Sequence, residues 1–308
     1  MTRLFALIVI MATLVLPAPA AMAVTFSAGV EDSRWNLSDS IFACSLRHPV
    51  PGYGEAVFYH RAGEALSFYL NPERNPMRAG KAALVLERPA WQAGQTVAVL
   101  GHVSVSDTHE RPVELETQHS LRMMHGLRDG RMPTFTRRAR YSEDRVSVRL
   151  NHVNYDDRYQ AFRECQSQLL PVNFDQVRRT VILFGVGETQ LSDEARAFLN
   201  KVALFANADE RVDRIYVDGH TDSSGTPLQN REISKQRAEA VTDYLVSKGV
   251  PEDTIETRFH GSRYPVAGVE QPNPRHRRAT VRLERSDDAA GDQPVITQSD
   301  RQNIVIIE

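Results

Sequence analysis

An aspartate and an arginine in one short segment could together hold a small charged ligand. Residues 217–241 read VDGHTDSSGTPLQNREISKQRAEAV, which predicts a strand, a polar loop and then a helix. Asp222 lies in the loop, and Arg237 lies on a helix stripe that Ile233 and Val241 make otherwise apolar. Arginine keeps its charge in a protein, so a guanidinium on a core-facing stripe needs a carboxylate partner. That partner belongs either to the protein or to a ligand.

Spacing alone leaves two interpretations of this pair open. In the first, Asp222 and Arg237 form a structural salt bridge. In the second, they clamp a zwitterion, with Asp222 accepting from an ammonium group and Arg237 donating two parallel hydrogen bonds to a carboxylate. Backbone N–H groups at the helix start, around Asn230, would add to the carboxylate side. Such bonds contribute about 1.5–3 kcal/mol each, which suits a modest binding site better than a catalytic one.

The residues around the pair follow a longer spaced pattern. It consists of a G-H-T-D loop, a glycine, an asparagine, a hydrophobic-serine pair and R-A before an apolar helix, carried by Gly219, His220, Thr221, Asp222, Gly225, Asn230, Ile233, Ser234, Arg237 and Ala238. The segments HGSRYPVA and HRRATVRL follow downstream. Together these motifs resemble the OmpA-like peptidoglycan-binding family over about 110 residues. Two positions depart from the family pattern, since His276 replaces an Asn and Pro272-Asn273 replace a G-R pair.

The resemblance implies a ligand and a set of binding residues. The family binds the meso-diaminopimelate side chain of peptidoglycan. Asp222 and Arg237 would hold the amino-acid end of that side chain, Thr221 and Asn230 would shape the loop, and Arg278 would border the site. No cofactor and no metal are implied.

Strand and helix patterns divide the chain into two folded parts. Residues 24–172 read mostly as short strands with frequent turn signals, which predicts an antiparallel sandwich or barrel-like domain. A membrane barrel is the rival, but segments such as YSEDRVSVRL are too charged for its outward face. Residues 173–285 alternate strand and helix, which predicts an α/β sandwich with helices on one face of a mixed sheet. The chain is therefore α+β, and residues 286–308 read as a flexible tail with a β-prone end, NIVIIE, that could add to a sheet edge.

The N-terminus and the cysteines indicate export. Residues 1–23 combine Arg3, an apolar run and small residues with Ala21 and Ala23 in an A-x-A pattern, which predicts a signal peptide cleaved after Ala23. An uncleaved anchor is the alternative. An even count of cysteines in an oxidising compartment favours a disulfide between Cys44 and Cys165, although two buried free thiols stay possible.

The first part of the chain carries a second resemblance. The segments CSLRHPVPGYGEAVFYHRAGEALSFYL, ERPAWQAG, GRMPTF and YQAFRECQSQL are similar to the MotY family of flagellar motor proteins. The resemblance implies a periplasmic component of the basal-body T ring, oligomeric in the assembled motor. Its N-terminal domain would contact the basal body and a MotX-like protein, and its C-terminal domain would grip the wall near the stator complex. A generic OmpA-like envelope anchor without a motor role is the alternative.

Other function classes receive little support. Charged residues make up 25% of the chain and the formal net charge is -2, so we expect no nucleic-acid partner. The sequence lacks HExxH, G-x-S-x-G and P-loop patterns, and we expect no enzymatic activity. Metal binding by His220 and Asp222 is the enzyme-like alternative, but these residues lack the spacing of a ligand pair.

Overall fold

The computed structural model describes residues 23–88, 97–286 and 305–307. The predicted signal peptide before residue 23, the segment PAWQAG and most of the tail lie outside these residues. The chain divides into two compact units. The first consists of Met1–Asn36, Arg47–Val57 and Phe68–Asp157, and the second of Leu37–Leu46, Phe58–Ser67 and Arg158–Glu308. The domain boundaries proposed from the sequence stay predictions.

The N-terminal half of the chain forms two sheets. The strands are β1 (Ala23–Ser27), β2 (Asn36–Asp39), β3 (Ala43–Val50), β4 (Gly54–Arg61), β5 (Ser67–Pro72), β6 (Gly80–Glu87), β7 (Ala98–Val105), β8 (Val113–Leu115), β9 (Met132–Arg138) and β10 (Arg145–Arg149). One sheet has the order β1-β10-β9-β6-β7 and the other the order β2-β3-β4-β5-β8. Neighbouring strands of the first sheet are antiparallel except for β1 beside β10. Phe68 of β5 stacks on Phe135 of β9 with ring centroids 5.6 Å apart.

A helix interrupts the region that the sequence indicates as strands. Helix α1 (Thr117–Arg128) buries Met123, Met124 and Leu127 on one side. Their spacing of three and four residues is helical, but the stripe also contains the buried Ser120 and Gly126. The prediction that this part of the chain is mainly antiparallel β is confirmed, and neither sheet closes into a barrel over the described residues.

Helix α2 (Asp156–Ser167) carries Cys165, and the predicted disulfide to Cys44 is confirmed. The two Cα atoms lie 6.1 Å apart, and the bond closes a sequence separation of 121 residues. Both cysteines belong to the second compact unit, which therefore includes a covalent link between an early strand and a late helix. A short helix, α3 (Phe174–Val177), follows with a capping box between Asn173 and Gln176.

The C-terminal half builds one mixed sheet covered by two helices. Its elements are β11 (Arg179–Leu183), α4 (Asp193–Ala208), β12 (Val212–His220), α5 (Pro227–Ser247), β13 (Ile255–Phe259), β14 (Arg278–Arg285) and β15 (Val305–Ile307). The strand order is β13-β12-β14-β11-β15. Strands β12 and β13 are parallel, as are β11 and β15, and the other neighbours are antiparallel. The predicted α/β sandwich and the predicted strand in NIVIIE are both confirmed.

Helix boundaries follow local capping chemistry. Ser192 accepts a hydrogen bond from the backbone N–H of Ala195 and caps the start of α4. Helix α5 begins at Pro227, three residues before the predicted start near Asn230, because Thr226 caps it in a capping box with Gln229. Its other end lies just before Gly249, which adopts a φ of 89°. Among the described residues, no helix has both the length and the apolar character to cross a membrane.

Candidate functional site

A close approach of α5 to β12 positions the site. A Cβ atom on Gly219 would collide with the carbonyl oxygen of Ser234, so only glycine fits at this point of β12. The hydroxyl of Ser234 in turn accepts a hydrogen bond of 3.0 Å from the backbone N–H of Gly261. These contacts place Arg237, less than one helical turn beyond Ser234, beneath the loop that follows His220.

Arg237 is held by backbone carbonyl groups. Its side chain is almost wholly buried, with 1% of the residue surface exposed. Nε donates to the carbonyl of Glu188 at 2.8 Å, Nη1 to that of His220 at 3.0 Å, and Nη2 to that of Gly185 at 3.0 Å. Burial lowers the pKa of Arg237 to about 10, with a further contribution from Arg277, while nearby carboxylates oppose the change. The guanidinium is therefore oriented by the fold before any ligand arrives.

Asp222 has a different cationic partner. Its Oδ2 accepts a hydrogen bond of 3.1 Å from Nη1 of Arg277, and its Oδ1 accepts one of 3.1 Å from the backbone N–H of Ser224. Burial alone would raise the pKa of Asp222, but the bonds from Arg277 and Ser224 outweigh it and lower the pKa. In the described part of the chain no ion pair joins Asp222 to Arg237, so the simple structural salt bridge between these two residues is wrong.

A cavity of about 420 Å³ opens over these side chains. Its wall includes Thr221, Asp222, Asn230 and Arg237, all of which the sequence assigns to binding. Arg277 and Glu232 also line the cavity, so its wall presents two guanidinium groups, the buried carboxylate of Asp222 and the exposed carboxylate of Glu232. Such a wall suits a ligand that carries an anionic group beside a cationic one.

Two further features leave polar capacity for a ligand. Arg237 uses three of its five N–H groups on the described carbonyls, and two stay available. The hydroxyl of Thr221 is buried and has no hydrogen-bond partner among the described residues. Buried polar atoms are normally paired, so an orphaned hydroxyl at the cavity wall is the kind of group that a ligand or water satisfies.

Arg278 does not line this cavity. It is the first residue of β14, and its Nη2 donates to the carbonyl of Tyr264 at 3.1 Å. Side chains of consecutive residues in an extended chain point to opposite sides. The side chain of Arg277 therefore points to the cavity, and that of Arg278 points away from it. The arginine that lines this cavity is therefore Arg277, and Arg278, which the resemblance places at the border of the site, lies outside the cavity.

Sequence reasoning also missed the loop after β11. Gly185 and Glu188 supply carbonyl groups to Arg237, and Phe184 supplies one to Nε of Arg277 at 3.2 Å. Val186 is 81% exposed, and it lines the cavity together with Ile233. The FGVGETQ segment gave one signal of a special loop, its two glycines, and Gly187 indeed adopts a φ of 70°.

A histidine cluster lies beside Arg278. The rings of His220 and His260 stack at 5.1 Å, and Nε2 of His260 lies 2.8 Å from Oδ1 of Asp218. Burial, together with the neighbouring Arg278 and His260, lowers the pKa of His220 to about 3. Within residues 23–88, 97–286 and 305–307, no group of three or more His, Cys, Asp and Glu side chains is arranged to hold a metal ion.

Comparisons with known proteins assign relatives to both halves. Residues 26–171 match the family described as the MotY N-terminal domain, and residues 183–279 match the OmpA family. The sodium-type flagellar protein MotY of Vibrio parahaemolyticus is 28% identical over 273 residues, which are 87% of this chain and 92% of that protein. Outer membrane protein A of Escherichia fergusonii is 35% identical over 101 residues, which are 32% of this chain and 42% of that protein. The chain thus spans less than half of this second relative.

Solved structures are similar over about a third of the chain. The peptidoglycan-associated lipoprotein from Burkholderia pseudomallei has a TM-score of 0.32 and 26% identity, covering 34% of this chain and 89% of that one. The periplasmic domain of Helicobacter pylori MotB has a TM-score of 0.30 and 18% identity, covering 35% of this chain and 74% of that one.

Proposed function

Because this chain is a MotY homologue that combines a MotY N-terminal domain with an OmpA family domain, we propose that it anchors part of the flagellar motor to peptidoglycan. The anchoring is binding without catalysis. The ligand is the diaminopimelate residue of the stem peptide, whose free end carries an ammonium group and a carboxylate. The cavity beside Asp222 and Arg237 takes that end.

The observation that carries this proposal is the pre-oriented Arg237. A guanidinium fixed by three carbonyl groups loses little further freedom when it binds a carboxylate, so binding costs less entropy. Asp222 is ionised beside Arg277 and accepts the ammonium group of the same ligand. Thr221 and Asn230 complete the polar wall.

The motor role rests on the N-terminal half. Similarity to the MotY of Vibrio parahaemolyticus extends over 87% of this chain and is not confined to the OmpA family domain. We place the protein in the periplasm as an oligomeric component of the T ring, after cleavage of a signal peptide at Ala23. Its N-terminal half contacts the basal body and a MotX-like protein, and the grip of the C-terminal half on the wall holds the stator complex near the rotor.

A co-sedimentation assay tests the wall-binding proposal. Insoluble peptidoglycan should pull down the purified protein, free meso-diaminopimelate should compete, and the wall should stay undigested. Free cadaverine, which has the two amines of diaminopimelate but neither carboxylate, is the matched competitor and should leave the pellet unchanged. Equal competition by cadaverine would contradict recognition of the carboxylate by Arg237.

Deletion of the gene tests the motor role separately. Loss of swimming with an intact envelope supports the motor anchor, and restoration should require both halves of the chain. A strain that swims normally but has a weakened envelope would instead support a generic anchor.

A further inference from the structure

The C-terminal strand covers one edge of the mixed sheet. Strand β15 pairs in parallel with β11, with Thr180 opposite Val305, Val181 opposite Ile306 and Ile182 opposite Ile307. In the strand order β15 is terminal, so without it β11 would become an open edge. An open edge is a ready acceptor for a strand from another chain.

The contact between the two strands is small. It comprises three residue pairs, and Ile306 stays 51% exposed. Ile307 is half-buried against the hydrophobic core of the C-terminal half. A contact of this size can open and close while the rest of the sheet stays folded.

The connection to β15 is far longer than pairing within one chain requires. Strands β14 and β15 lie on either side of β11, so they are roughly 10 Å apart across the sheet. Strand β14 is antiparallel to β11 and β15 is parallel to it, so the end of β14 and the start of β15 lie toward the same end of the sheet. A few residues would close that gap, yet residues 287–304 intervene, and an extended segment of that length reaches about 60 Å.

We propose that the edge of β11 accepts the segment Val305–Ile307 from a second copy of the chain, so that neighbouring copies are joined by exchange of their C-terminal strands. Strand β15 makes the same contacts whether it pairs with β11 of its own chain or with β11 of a second copy. The strength of those contacts therefore does not decide between the two arrangements. Two concentrations decide it. One is the effective concentration of β15 near β11 of the same chain, which the long connection sets, and the other is the local concentration of other copies. Exchange is therefore favoured where copies are crowded.

Reciprocal donation between two copies closes a dimer, whereas donation from each copy to the next is head-to-tail, since a strand of one copy meets a different surface on the next. Repeated contacts of this kind close into a ring or continue as a filament, according to the rotation between copies. This inference does not depend on wall binding, because neither β11 nor β15 contributes a side chain to the cavity beside Asp222.

Mixed cysteine variants test the exchange. The chain has two cysteines and both are in the disulfide, so an introduced cysteine is the free thiol of each variant. Val181→Cys and Ile306→Cys chains are purified separately, mixed and oxidised mildly. Because Val181 and Ile306 are opposite each other, a covalent heterodimer forms when the strand pairs in trans. Its yield should rise about in proportion to protein concentration between the micromolar and millimolar ranges.

Two controls make the result decisive. A mixture of Ile306→Cys with Leu228→Cys, which places a thiol on a 78% exposed residue away from β11, reports random collision and should give at least about tenfold less heterodimer. The Val181→Cys/Ile306→Cys double variant reports the pairing itself. Exchange is overturned if the double variant links only within single chains while the mixture stays at the collision level at every concentration.

Discussion

Nη1 of Arg277 lies 3.1 Å from Oδ2 of Asp222, and this contact gives the two arginines of the cavity different tasks. Arg277 holds the carboxylate ionised and in place. Arg237, fixed by carbonyl groups, keeps N–H groups for a ligand. The variants below separate these tasks.

Asp222→Asn should weaken wall binding while the fold persists. Asparagine has nearly the same volume but carries no charge, so it cannot form a hydrogen bond between two ionised groups. Such a bond contributes about 1.5–3 kcal/mol, so we expect binding to peptidoglycan to be roughly 10–100-fold weaker in co-sedimentation. Asp218→Asn, on strand β12 four residues before Asp222 and outside the cavity, is the matched control and should bind normally. Normal binding by Asp222→Asn would remove Asp222 from the proposed site.

Arg237→Lys should reduce both stability and binding. Lysine retains the charge, but its compact ammonium group cannot reach three carbonyl groups that lie around a planar fork. Each buried carbonyl left without a partner costs about 1–3 kcal/mol, so chemical unfolding should show a loss of at least that size. Arg258→Lys, on a half-exposed side chain, should change neither quantity measurably. An Arg237→Lys protein as stable as the wild type would show that the carbonyl contacts are unimportant.

Replacement of Arg277 should change the pH dependence of binding. Removing Arg277 removes a group that lowers the pKa of Asp222, so that pKa should rise and binding should fail at a higher pH than in the wild type. Arg277→Lys should restore part of the wild-type profile. Arg278→Ala should leave the profile unchanged, because Arg278 donates to Tyr264 outside the cavity. If the pH dependence of binding shifts in Arg278→Ala but not in Arg277→Ala, then Arg278 and not Arg277 is the arginine that acts on Asp222.

Stability should fall as the pH decreases from 6.5 toward 4. Nδ1 of His48 lies 2.8 Å from the carbonyl of Arg34, its Nε2 accepts from the N–H of Asn151, and burial lowers its pKa from 6.5 to about 4. In that window the unfolded chain binds a proton that the folded chain excludes, so the stability present above pH 6.5 is lost. The loss from His48 is about 3 kcal/mol, measurable by denaturant unfolding at several pH values.

His48→Gln should flatten this pH dependence, because glutamine can donate and accept without titrating. His102→Gln, on an exposed residue, is the control and should keep the wild-type slope. His220, with a pKa of about 3, adds a loss of the same sign in both variants. If stability depends on pH in His48→Gln as steeply as in the wild type, the pH sensitivity comes from other residues.

Periodicity in the sequence predicts most strands and the two helices of the C-terminal half, because each buries a single regular stripe. Helix α1 escaped prediction since its stripe is short and includes a buried serine and glycine. The spacing in α5 identified Arg237 as unusual, but its partners come from Gly185, Glu188 and His220. Carbonyl groups carry no side-chain signal, so sequence could not distinguish them from a carboxylate. The choice between Arg277 and Arg278 depends on where β14 begins, which a run of two arginines does not reveal.

The three carbonyl contacts of Arg237 also have a mechanical meaning. They connect α5 to the end of β12 and to the loop after β11 through one guanidinium. On the proposed function, tension applied to the wall peptide enters the protein at this group and divides among three backbone segments at once. Rupture then requires several hydrogen bonds to break together, which resists pulling better than the same bonds broken one after another.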